Sequence, residues 1–203
     1  MLTAALLCAA AYLVGSIPTG LLVARARGVD LRSVGSGNIG ATNVARALGR
    51  GWAIAVLIAD ALKGFLPVFV GRNFGRHFGR HYLPPLPAEA VALAGLAAIV
   101  GHMFTVFLRG RGGKGVATSL GVALAISPPA ALCGFGLYLL AYFTVRISSV
   151  GSLLGMWSFP VFAWLLGGVA RPYLWLSIGT AALVTVRHRA NIARLMRGEE
   201  KRT

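Results

Sequence analysis

The residues best suited to chemistry lie at 110–118, Gly-Arg-Gly-Gly-Lys-Gly-Val-Ala-Thr. Glycines let backbone N–H groups turn inward and approach a ligand closely, and Lys114 with Arg111 adds full positive charge, a combination that suits a phosphate. A P-loop is excluded, because that motif needs Ser or Thr directly after the lysine and Gly115 stands there instead. A second stretch, 35–46, packs Ser36, Asn38, Thr42 and Asn43 among glycines and closes on Arg46. Its small residues allow a tight fold, its amides and hydroxyl give directed hydrogen bonds, and an arginine can grip a phosphate bidentately. A third, 146–152, repeats this chemistry with Arg146, Ser148, Ser149 and Ser152 around one glycine.

Other ionisable residues sit inside or beside apolar runs. Asp60 and Lys63 are three apart, on one helical face, where charge is costly unless paired. They are expected to form an intrahelical ion pair facing the interior. His102, at the end of an apolar run in Gly101-His-Met-Phe, lies a turn or two before the glycine-rich loop. The stretch 187–200 reads as a short interfacial helix on which His188 and Asn191, at i and i+3, share a face with Leu195. Arg72, Arg76 and Arg80 recur every four residues alongside His77 and His81; with no acid or third ligand nearby in sequence, that pattern is expected to be a solvated surface, not a metal site.

These loops must be positioned by a membrane protein. Of 203 residues, 57% are hydrophobic and only 12% charged, outside the range of soluble domains, and the net charge of +15 reflects just five carboxylates. So few acids argue against paired-carboxylate catalysis and favour anionic partners, whether lipid headgroups or substrates. Cys8 and Cys133 fall in separate apolar runs and suggest neither disulfide nor metal set. The apolar start lacks a preceding positive residue or a cleavage site and is expected to be a retained membrane helix.

Seven apolar segments are expected, at 2–23, 52–70, 90–108, 116–126, 130–145, 150–166 and 172–186. The first three suit a full span of about 20 residues, whereas the later ones are short and carry Gly, Pro and Ser, so they are expected to be tilted, broken or partly spanning. With seven crossings, Arg25, Arg27, Arg32, Arg46, Arg50, Arg109, Arg111, Lys114, Arg146 and the basic tail fall on one side, with only Arg72, Arg76, Arg80 and Arg171 on the other. The positive-inside rule then puts the N-terminus outside and the C-terminus in the cytoplasm. The predicted fold is all-α, one polytopic membrane domain spanning the chain.

Three stretches, Ser36-Gly-Asn-Ile-Gly-Ala-Thr-Asn-Val-Ala-Arg46, Gly101-His-Met-Phe with Gly112-Gly-Lys-Gly-Val-Ala-Thr118, and His188-Arg-Ala-Asn-Ile-Ala-Arg-Leu195, closely resemble the cytoplasmic motifs of bacterial acyl-phosphate:glycerol-3-phosphate acyltransferases, the PlsY family. Asp60, Lys63, Gly64 and the Ser149–Ser152 step also look like family positions. Thr105 stands where that family usually has Pro, and Arg109-Gly110-Arg111 replaces a more aromatic run, differences of loop shape.

The resemblance implies transfer of a fatty acyl group from acyl phosphate to the sn-1 hydroxyl of glycerol 3-phosphate at the bacterial inner membrane, giving lysophosphatidic acid and phosphate, the first acylation of phospholipid synthesis. It implies Ser36, Arg46, Lys114, His188 and Asn191 as the catalytic set. Gly37, Asn38, Gly40, Thr42, Asn43, His102, Gly112, Gly113, Gly115, Thr118, Ser149 and Ser152 are the expected substrate-binding positions. No metal, cofactor or nucleic acid is expected, and the partners are glycerol 3-phosphate, acyl phosphate and membrane lipid, with the protein a monomer. An organic-phosphate transporter is the competing reading, although no internal two-fold repeat supports it and the polar motifs cluster on one side instead of at the midplane.

Overall fold

In the computed structural model, which describes residues 1–77 and 86–202 without the side chains of 74–77, each expected apolar segment forms helix, the first and third with a break. The helices are α1 (Leu2–Ser16), α2 (Thr19–Ala26), α3 (Ala41–Leu48), α4 (Arg50–His77), α5 (Ala88–Met103), α6 (Val116–Ile126), α7 (Pro128–Thr144), α8 (Ser148–Leu165), α9 (Arg171–Arg187) and α10 (Arg189–Met196), with a 3₁₀ turn at Val106–Leu108. The side chains of Arg76 and His77, and all of Arg80 and His81, lie outside the described residues.

The first expected segment is interrupted. Pro18 has no N–H to continue the ladder, and Ile17 closes α1 by donating to the Val14 carbonyl (3.3 Å) before α2 begins. Among the described residues, four stretches are long and apolar enough to cross a membrane: Leu2–Ala26, Arg50–Asn73, Ala88–Leu108 and Ser148–Leu165. The last exceeds the short segment its Gly and Ser content suggested. At 11 residues, α6 rises only about 17 Å, roughly half the hydrocarbon thickness. The outward faces carry large apolar side chains, among them Leu6, Leu13, Ile54, Ile58, Leu93, Trp164 and Trp175. Such continuous apolar exposure suits lipid, not water.

The chain divides into two compact units, Met1–Val122 and Ala123–Thr203. Within the first, α1 and α5 meet backbone to backbone: a Cβ on Gly15 would fall on the Ala98 carbonyl, and one on Gly101 on that of Tyr12. The start of α6 meets α4 the same way, Gly64 against Thr118 and Gly121 against Ala61. Small residues permit this approach where apolar area alone cannot drive helices together in lipid. Leu21, Ala24, Leu31, Ile39, Val44 and Val56 form a core that seats the 28–40 loop against α2, α3 and α4. Within the second unit, α7 lies along α8 at Gly134 and Gly155, and α9 packs on α8.

Candidate functional site

The first loop is folded by its own amides. Asn43, 1% exposed, accepts the Ser36 N–H at Oδ1 (3.0 Å), while its Nδ2 donates to the carbonyls of Leu31 and Val34 (both 3.0 Å). Asn38 Oδ1 accepts the Gly40 N–H (2.9 Å), an Asx turn that starts α3, and Ser36 Oγ accepts the Asn38 N–H (3.4 Å). Gly35 and Gly37 hold φ of 58° and 65°, which a side chain would strain. A Cβ on Gly35 would also press on Asn43 Oδ1 and Arg46 Cδ, so Arg46 lies across this loop. Ser36 and Arg46 are both exposed, and Arg46 has no ion pair among the described residues. Asn43 thus shapes a surface whose accessible chemistry is Ser36, Thr42 and Arg46.

The glycine-rich loop is stitched to the end of α5. Thr105 Oγ1 accepts the Phe107 N–H (3.2 Å) and donates to the Ser16 carbonyl (2.5 Å), so this hydroxyl, where the resemblance anticipated Pro, ties the 3₁₀ turn to α1. Gly110 N–H bonds the Thr105 carbonyl (2.9 Å), Gly112 that of Met103 (3.1 Å) and Gly113 that of His102 (3.0 Å). These N–H groups are therefore already engaged. An anion reaching this loop meets the Lys114 charge and the first-turn N–H groups of α6, which no helix satisfies internally. Gly115, at φ 82°, makes the turn into that helix, and Thr118 lies buried in its first turn.

The two loops are joined. Arg32 Nη2 donates to the Arg111 carbonyl (2.9 Å), and Arg32 is itself held by its N–H on Asp30 Oδ1 (3.0 Å). In the first unit the structure thus brings the Ser36–Arg46 loop and the Lys114 loop onto one framework. Beneath them lies the expected Asp60–Lys63 pair, 2.6 Å apart and 2% and 5% exposed.

In the second unit, His188 and Asn191 are buried at the α9–α10 corner. His188 Nδ1 donates to the Val184 carbonyl (2.8 Å), which fixes ring orientation. Asn191 Nδ2 donates to Glu200 Oε1 (2.5 Å), Ser149 Oγ donates to the same oxygen (3.0 Å), and Arg194 Nε to Oε2 (2.6 Å). Ser152 Oγ bonds back to the Ser148 carbonyl (2.8 Å). Burial works against ionisation of Glu200, yet the bonds from Asn191, Arg194 and Ser149 outweigh it, and its carboxyl is held below the ordinary range. This carboxylate gathers two expected site positions, Ser149 and Asn191. Sequence reading passed over it because its partner Ser149 is 51 residues away. Leu195 is half-buried on the helix that carries Asn191. Among the described residues no cluster of three metal-ligating side chains occurs.

The profile of the glycerol-3-phosphate acyltransferase family matches residues 5–198. A glycerol-3-phosphate acyltransferase of Anaeromyxobacter sp. (strain Fw109-5) is 50% identical over 97% of this chain and 94% of its own length. That of Geobacter sulfurreducens is 48% identical over 100% and 98%. Among solved structures, the crystal structure of PlsY (YgiH), an integral membrane glycerol 3-phosphate acyltransferase, in its glycerol 3-phosphate form superposes with a TM-score of 0.89, at 41% identity, covering 99% of this chain and 96% of that one. Its lysophosphatidic acid form gives 0.87 at 40% identity, covering 98% and 95%. These likenesses do not favour the transporter alternative.

Proposed function

The chain belongs to the glycerol-3-phosphate acyltransferase family, membrane enzymes of phospholipid synthesis, and on that premise we propose that its acyl donor is acyl phosphate and that Ser36, Arg46, Lys114, His188 and Asn191 carry out the transfer. The observation that carries this reading is the Arg32–Arg111 bond, which joins two loops that each present a cation and small polar groups. Two phosphates, one on each substrate, call for two such loops.

The glycerol C1 oxygen attacks the acyl carbonyl carbon, the new ester C–O bond forms, and the bond from that carbon to the phosphate oxygen breaks. The hydroxyl proton leaves with the released phosphate, whose oxygen serves as base where carboxylates are scarce. Acyl phosphate is already activated, so positioning and charge stabilisation carry most of the rate. Arg46 and Lys114 balance phosphate charge. Ser36, Thr42 and the first-turn N–H groups of α6 hydrogen-bond the phosphates, with Gly37, Asn38, Gly40, Gly112, Gly113, Gly115 and Thr118 shaping these surfaces. His188 and Asn191 orient the glycerol hydroxyl, with Ser149 and Ser152 supporting that end. The same reading places the chain in the bacterial inner membrane as a monomer, N-terminus outside and site facing the cytoplasm, supported by the arginine asymmetry.

Replacing Arg46 or Lys114 with Ala in purified protein tests the assignment. Each variant is expected to stay folded and lose most turnover with acyl phosphate, and near-normal turnover in either would overturn the site.

A further inference from the structure

One buried charged cluster takes no part in this chemistry. Asp60 and Lys63 lie within α4, well inside the span, where an ion pair is expensive. Lys63 Nζ donates to Asp60 Oδ1 (2.6 Å), to Thr19 Oγ1 (3.0 Å) and to the Ile17 carbonyl, and Thr19 Oγ1 donates to Asp60 Oδ1. The pair thereby grips the chain break between α1 and α2, where the Ile17 carbonyl also accepts the Thr19 N–H (3.0 Å). On its other side, His102 Nδ1 stands 3.8 Å from Asp60 Oδ1. The far edge of that ring faces the glycine loop, since a Cβ on Gly113 would strike His102 Nε2, and the His102 carbonyl accepts the Gly113 N–H. Gly64, next to Lys63, lets α4 touch the Thr118 carbonyl at the start of α6. A five-residue stretch of α4 thus braces the entry to the first loop, the end of α5 and the helix that follows Lys114.

We propose that Asp60 and Lys63 are positioning residues for acyl transfer, setting the height and orientation of the Gly112–Gly113–Lys114 loop through the His102 ring. The proposal rests on the reading of that loop as a phosphate site. Stability alone is a weak reason for such a pair, because well-packed apolar replacements of buried ion pairs are often neutral or stabilising. What apolar side chains cannot do is fix a histidine ring from one side and a carbonyl from the other, and misplacement of a phosphate-binding cation by a fraction of an ångström is costly in rate.

The test uses the full-length protein purified into lipid, with glycerol 3-phosphate varied at saturating acyl phosphate and thermal unfolding followed in parallel. The neutral double variant Asp60→Asn/Lys63→Met is expected to unfold near the parent temperature yet raise KM for glycerol 3-phosphate about tenfold. His102→Phe should match it, His102→Asn, which keeps a polar group at the Nδ1 position beside Asp60, should recover most of the loss, and adding His102→Phe to the double variant should cost little more, as for residues acting as one unit. A folded double variant with parental KM, or effects that multiply on combination, would overturn the proposal. Should the double variant not fold, the Phe and Asn variants of His102 decide alone, and equal, parental KM in both would overturn it. Lys114→Ala in the same assay separates the two levels: activity retained there defeats the phosphate-loop reading, whereas its loss beside a parental double variant defeats only the positioning role.

Discussion

Removing the Glu200 carboxylate should release the C-terminal helix. Its two oxygens take three donors, Asn191 Nδ2 at 2.5 Å, Arg194 Nε at 2.6 Å and Ser149 Oγ at 3.0 Å. Glu200→Ala leaves the buried donors of Ser149 and Asn191 without this acceptor, each worth about 1–3 kcal/mol, while the partly exposed Arg194 rehydrates at little cost. Taking the lower half of that range, because neighbouring bonds are not additive, gives about 3 kcal/mol. Glu200→Gln keeps one acceptor oxygen for Asn191 and Ser149 but sets an amide N–H₂ against Arg194, so about 1 kcal/mol is expected. At about 1.4 kcal/mol per decade, the alanine variant should open α10 roughly a hundredfold more often and the glutamine variant about fivefold. Trypsin cleavage at Arg189, Arg194 and Arg197 reads that population when reclosing outpaces cleavage. Because the folded carboxyl titrates below its ordinary value, the stabilisation is fully present above about pH 4.3 and is lost as pH falls through the lower folded value, so protection of the parent tail should fade only under acid. Equal cleavage of parent, Gln and Ala proteins at neutral pH would refute the reasoning.

Other outcomes follow from the same geometry. Gly113→Ala drives a methyl group into the His102 ring and should cut turnover at least tenfold with the fold retained, measured as kcat against KM. Gly64→Ala places its methyl on the Thr118 carbonyl oxygen and should lower the thermal midpoint, with overpacking costing about 1–3 kcal/mol. Thr105→Val removes the buried bond to the Ser16 carbonyl and should destabilise by about 1–2 kcal/mol, read by thermal unfolding, while turnover falls less than in Gly113→Ala.

The helices were legible because uninterrupted apolar runs leave the backbone no other way to satisfy itself in lipid. The Asp60–Lys63 pair was legible for the same reason: two charges three residues apart in such a run can only face inward together. The break at Pro18 was not, because the apolar run continues through it and hydropathy is blind to a missing N–H. Thr19 and Ser16, which receive the bonds around that break, are unremarkable as residue types. The polar loops were recognisable by composition and motif, yet composition did not reveal that Asn43 is a buried hub or that the Gly112 and Gly113 N–H groups are engaged. Those facts depend on which carbonyls the 28–40 loop and the end of α5 bring near. Glu200 was invisible for a related reason, since its donors come from α8 and α10 and only the folded second unit assembles them.

The donor is tested most directly by offering purified protein in lipid glycerol 3-phosphate with acyl phosphate, acyl-CoA or acyl carrier protein, and following lysophosphatidic acid and released phosphate. Product from acyl phosphate alone, with phosphate released in equal amount, is the predicted result. Product from acyl-CoA or acyl carrier protein at a comparable rate would contradict it.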